Sequence, residues 1–165
     1  MPTLQRPHGS TCHDAAAPDR EATLAHSDVP AEQIKAYRKT DYRFGQGLDA
    51  VTLRIDVPSD ALAQLYASAG YSSGVFITAY SPFSQPHSRE TNDAAHTRLG
   101  ADLKTLGRPV IEGAGADPTG HWPEERSYFV LGVDLDTAKA LGLRYQQNAI
   151  VWAGADAVPR LILLR

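Results

Sequence analysis

The sequence predicts a single α+β domain: a mixed, mainly antiparallel sheet packed with two to three helices. Positions 51–57 alternate, with Val51, Leu53, Ile55 and Val57 on one side and Thr52, Arg54 and Asp56 on the other. That period of two belongs to a half-buried strand. Further short apolar runs, bounded by glycine and proline, follow one another with too few helices between them for a doubly wound parallel sheet. A chain of 165 residues suits one domain, or one domain with a tail.

Taken in order, positions 1–30 read as a flexible N-terminal tail and positions 31–165 as the domain. The tail has no aromatic residue, and only Leu4, Leu24 and Val29 as large aliphatics. It cannot bury enough apolar area to offset the entropy of ordering it. His8, Cys12 and His13 in it could be sketched as metal ligands, but a fourth ligand is missing and no metal site is assigned. The whole chain carries 16 basic and 19 acidic side chains; the tail takes 2 and 4 of them, leaving the domain at 14 and 15.

A short helix is expected over 31–39, then the strand at 51–57, ended by Pro58. Ser59 or Asp60 caps a helix through Ala69. The run at 75–80 reads as a central strand. Pro82 and Pro86 bracket a loop, Ser88 caps a helix to Leu106, and Gly107 stops it. A strand at 109–112 leads into a glycine-containing loop at 113–120, read as turn-forming. A strand at 127–133 precedes a helix capped by Asp136 and running to about Gln147, with Asn148 as its C-terminal cap. Strands at 149–153 and 161–164 complete the chain.

The helix after Ser88 carries the clearest signal. At 100° per residue Ala95, Leu99, Leu103 and Leu106 form one stripe, and Asn92 falls in it. A buried amide needs hydrogen-bond partners or costs about 1–3 kcal/mol. Asn92 therefore either pins the preceding loop or lines a pocket at the helix start, where free N–H groups suit an anion. The two roles are compatible.

Ser81 or Ser84 as a nucleophile would need an oriented base such as His87 or His96, and the pattern G-x-S-x-G is absent. Gly113-Ala114-Gly115 lacks the third glycine and the following helix of a phosphate loop, and no cofactor is implied. In His121-Trp122-Pro123-Glu124-Glu125, Pro123 prevents a regular helix from aligning His121 with Glu125. Glu125 shares strand parity with Ser127, Phe129, Leu131 and Val133. A carboxylate at the mouth of an apolar strand is either paired with a cation or has a raised pKa suited to acid–base work.

The run Phe76-Ile77-Thr78-Ala79-Tyr80-Ser81-Pro82-Phe83-Ser84, followed by Ser88 and Asn92, resembles the signature of the bacterial family catalogued as domain of unknown function 3293. Trp122-x-x-Glu125-x-Ser127 and Gln147-Asn148-Ala149 are similar to its later motifs. The resemblance spans Tyr42 to Arg165 and implies a bacterial, single-domain protein with no assigned activity. Ser81 stands where the family usually has asparagine.

Thr78, Ser81, Ser84, Ser88, Asn92 and Gln147 thus fall at strand and helix ends, and with Glu125 they would form a polar cluster if those ends meet. The leading expectation is a pocket there for a small polar or anionic ligand, with Glu125 as acid or base. A non-catalytic module binding a protein partner is the alternative. An RNA-directed role would require Arg43, Arg54, Arg89 and Arg98 to gather on one face, and the near-neutral domain argues against it. No apolar run reaches the ~20 residues that span a bilayer, so no membrane partner and a cytoplasmic location are expected.

Overall fold

A computed structural model describes residues 27–165. Positions 1–26, with the His8–Cys12–His13 sketch, lie outside the described residues. Of the segment read as a tail, positions 27–30 belong with the fold: Val29 is buried, and the Ser27 hydroxyl donates to the carbonyl of Arg165 at 2.6 Å.

Seven short strands form one curled, half-barrel sheet, with every neighbouring pair antiparallel. They are β1 (Asp41–Phe44), β2 (Val51–Leu53), β3 (Gly74–Ile77), β4 (Val110–Ala116), β5 (Glu125–Leu131), β6 (Ala149–Ala153) and β7 (Arg160–Leu163). Their order across the sheet is β2-β1-β4-β5-β3-β6-β7. Among the described residues four helices accompany them, rather than two or three: α1 (Ala31–Lys39), α2 (Asp60–Ala69), α3 (Arg89–Lys104) and α4 (Leu135–Arg144).

Each face of the sheet has its own apolar core. Leu62 and Tyr66 of α2 pack with Phe44, Leu53, Phe76, Phe129 and Leu131 on one face. Ala95, Leu99 and Leu103 of α3 and Ala138 and Leu141 of α4 pack with Val75, Ile77, Tyr128 and Val130 on the other. The stripe read for α3 is therefore its buried side, with Asn92 buried in it as well. Ser88 caps that helix by accepting from the Thr91 N–H at 3.1 Å, and Ser59 caps α2 by accepting from Leu62 at 3.1 Å.

Element boundaries moved for local physical reasons. β2 stops at Leu53, opposite Tyr42, and the next residue, Arg54, pairs with the Asp41 carboxylate through its side chain at 3.2 Å. β3 stops at Ile77 because the Thr78 hydroxyl, not the backbone, bonds the carbonyl of Arg126 at 2.7 Å. α4 starts at Leu135 because Asp134, two residues before the expected cap, accepts from the Thr137 N–H at 2.8 Å. Its end comes at Arg144, and Gln146 then adopts a left-handed conformation.

The largest revision concerns the glycines. Gly113 and Gly115 lie inside β4, flanked by β1 on one side and β5 on the other, and are not turn formers. At a period of two they face the same side of the sheet. A Cβ at Gly113 would sit 2.3 Å from the carbonyl oxygen of Arg43. Beside this gap the Phe44 and Phe129 rings stack at 4.1 Å.

Candidate functional site

In register across three strands, Tyr42 of β1 opposes Gly115 of β4, which opposes Glu125 of β5. Directly opposed residues present side chains to one face, and the middle position of this row has none. A cavity of about 800 Å³ opens there. Its outer wall is α1, through Gln33, Ala36 and Tyr37, with the following Thr40, and the loop after β3 and Trp122-Pro123-Glu124 line it as well.

The structure brings Thr78, Ser81, Ser84, Asn92, Glu125 and Gln147 to this one cavity, with Phe76 and Ser127 between them. Ser88 is not among them: it is exposed and its hydroxyl is used as the α3 cap. The Asn92 side-chain oxygen accepts from the Ser81 N–H at 3.0 Å, so this residue pins the loop while also lining the cavity. The Gln147 amide nitrogen donates to the carbonyls of Tyr80 and Tyr145 at 3.1 and 3.2 Å. The Thr78 hydroxyl is spent on the Arg126 carbonyl and the Tyr80 N–H.

These bonds hold an unusual loop. Ser81, Phe83 and Ser84 all have positive φ, at 46°, 52° and 57°. Each such residue other than glycine costs about 1–2 kcal/mol in backbone strain. The conformation is fixed from outside: the Phe83 N–H donates to the Gln146 carbonyl at 2.7 Å, and the Arg165 guanidinium lies 4.4 Å over the Phe83 ring. The Ser84 hydroxyl bonds Tyr37 at 2.6 Å and accepts from the Asn148 amide at 3.0 Å. Asn148, expected as a helix cap, instead ties α1 to the strained loop.

Among the described residues the partly buried Glu125 carboxyl is engaged by the Ser81 hydroxyl alone. Burial pushes its pKa up, and the adjacent Ser81 hydroxyl pulls the other way. Among the described residues no ion pair involves it. Arg43 pairs with Asp41 and Glu124, and Arg126 pairs with Asp93 and Glu112. The Asn92 Nδ2 and Gln147 Oε1 atoms also make no hydrogen bond among the described residues.

The histidines do not complete a serine dyad. His87 lines the cavity without a hydrogen bond to serine among the described residues. His96 lies in the core, stacked on Tyr128 at 4.2 Å. His121 turns to Thr119 at 2.5 Å and does not join Glu125. Among the described residues no three His, Cys, Asp or Glu side chains are placed to hold a metal ion, and no helix is long and apolar enough to cross a membrane.

The matched cluster and its motifs agree with one comparison. Residues 77–150 match the family model described as protein of unknown function (DUF3293). The resemblance seen in the motifs is thereby borne out over Ile77 to Ile150, a shorter span than Tyr42 to Arg165. The matched DUF3293 segment holds Ser81, Asn92, Gly115, Glu125 and Gln147, but neither Tyr37 nor Tyr42. No curated protein and no solved structure matches the chain.

Sequence reasoning missed Tyr37, Tyr42, Gly115 and Asn148 as parts of the site. The period-two spacing of Gly113 and Gly115 between apolar and polar strand positions was the available signal for Gly115. Tyr37 and Tyr42 carried none, because their approach depends on the pairing of β1 with β4.

Proposed function

We propose that the protein binds a small, partly apolar ligand in the cavity between α1 and the sheet, with Glu125 as its polar anchor. The observation that supports this most is a partly buried carboxyl, without a cationic partner among the described residues, facing about 800 Å³ of space. Ligand cavities commonly measure ~300–1,000 Å³ and combine apolar walls with a few placed polar groups. Tyr42, Phe76 and Trp122 supply the first, and Glu125, Asn92 and Gln147 the second.

A carboxyl whose pKa burial raises is also suited to give or take a proton, so Glu125 is our candidate general acid or base. The interaction-module reading takes second place, because the polar side chains that bond the loop backbone still leave the cavity open. The RNA reading is weakened by the arginines. Arg43 and Arg54 both pair with Asp41, and Arg89 lies 3.8 Å from Asp93.

Gly115→Leu gives a direct test. A Cβ at Gly115 meets only Thr40 Cγ2, at 3.6 Å, so the longer side chain enters the cavity without a backbone clash. In a fragment screen followed by protein NMR, bound fragments should shift the Trp122 indole and the Ser81 and Asn92 amides. Those shifts should disappear in a folded Gly115→Leu protein. Fragments that bind both proteins equally, or none that bind the parent, would remove the proposal.

A further inference from the structure

We infer that the ligand of this cavity presents a cationic nitrogen, an ammonium or substituted ammonium group, to Glu125; the inference rests on the cavity reading above. Three features of the site carry it. The first is the row Tyr42–Gly115–Glu125. Gly115 has no side chain, and the Tyr42 ring meets the Phe76 ring of β3 edge-on with centroids 5.2 Å apart; both rings line the cavity together with Glu125. The carboxyl therefore shares its cavity with an aromatic wall of Tyr42, Phe76 and Trp122. Aromatic faces attract ammonium groups through the ring quadrupole, most strongly where water is excluded.

The second feature is charge. The ionisable side chains lining the cavity, apart from the tyrosines, are Glu124, Glu125, Arg89 and His87. Arg89 is 92% exposed and lies beside Asp93, so its charge is directed into solvent. An anionic ligand would place like charge next to Glu125 with no buried cation to compensate. At the start of α3, which the sequence suggested as an anion site, the Thr91 N–H is taken by the Ser88 hydroxyl.

The third feature is the pattern of unspent atoms. Gln147 has engaged its amide N–H groups and keeps its side-chain oxygen unbonded among the described residues. With the Glu125 carboxylate it offers acceptors, which suit a ligand rich in N–H donors. The Asn92 amide nitrogen is the corresponding donor for a single ligand acceptor.

Three probes of equal skeleton separate this inference from the cavity reading: phenethylamine, 2-phenylethanol and 3-phenylpropionate, titrated at neutral pH by ligand-detected NMR. Phenethylamine is expected to bind at least about tenfold tighter than 3-phenylpropionate, the ratio of one charge-assisted hydrogen bond in a half-dry site. In Glu125→Gln its advantage over 2-phenylethanol should fall to about twofold or less. On the unaltered protein the same advantage should shrink as pH is lowered and Glu125 takes up a proton. Equal or tighter binding of 3-phenylpropionate, or an amine preference that survives both Glu125→Gln and acidification, would overturn the cationic inference and leave the cavity reading standing. Binding by none of the three, or binding that persists in Gly115→Leu, would overturn both.

Discussion

His96 is 2% exposed, yet neither ring nitrogen has a hydrogen-bond partner among the described residues. Its ring stacks on Tyr128 and meets Tyr80 edge-on, with Glu112 Oε1 at 4.0 Å from Nε2. Burial lowers its pKa, Arg126 adds to that, and Glu112 and Asp93 oppose it. The unfolded chain binds this proton near the ordinary value of 6.5, so the stability tied to a neutral His96 is complete above that pH. It is lost as pH falls toward the depressed folded value. His96→Phe keeps the stacked ring and removes two orphaned nitrogens, so it should stabilise the fold by about 1 kcal/mol at pH 7. The advantage over the parent should widen at pH 5, as urea midpoints at the two values would show. A variant less stable than the parent at both would mean that the nitrogens have partners after all. Asn92 and Glu125 were legible as single residues, because each breaks an apolar pattern that the sequence itself displays. The burial of His96 was not legible, since a helix-flank histidine looks the same whether a tyrosine ring or water lies beside it.

Among elements, β4 is the most informative. Its two inner glycines do different things on one face: Gly113 admits β1 at close range and lets Phe44 reach Phe129, whereas Gly115 leaves the cavity open. Gly113→Ala would set a methyl 2.3 Å from the Arg43 carbonyl, which forces β1 and β4 apart. A loss of stability at the upper end of the ~1–3 kcal/mol typical of overpacking is expected, measured by denaturant unfolding. Gly115→Ala should cost well under half as much. Equal costs would show that β4 tolerates the methyl by shifting as a unit. The strands and helices were largely readable from period and capping, as the Ser59 and Ser88 caps show. What escaped was pairing. Positions 41–44 lacked an alternating pattern long enough to mark β1, and without β1 the glycines of its neighbour look like a loop.

At the scale of the whole molecule, Glu125 links the cavity to stability. Its folded pKa is raised above the ordinary 4.5, so the folded state favours the protonated carboxyl. No cost is present below the unfolded value; the cost enters as pH rises through it toward the folded value. Glu125→Gln should therefore melt at a higher temperature than the parent at pH 7, with the difference gone by about pH 4, as paired thermal melts would record. A difference independent of pH would show that the carboxyl is not the origin of the effect. The two walls of the cavity also come from different parts of the chain. Residues 77–150 bring the hydrogen-bonding groups, whereas Tyr37, Thr40 and Tyr42 bring the facing surface from outside that span. Chemistry and contour are thus encoded separately. Exchanging the short stretch 31–44 would reshape what fits, without disturbing the carboxyl that greets it.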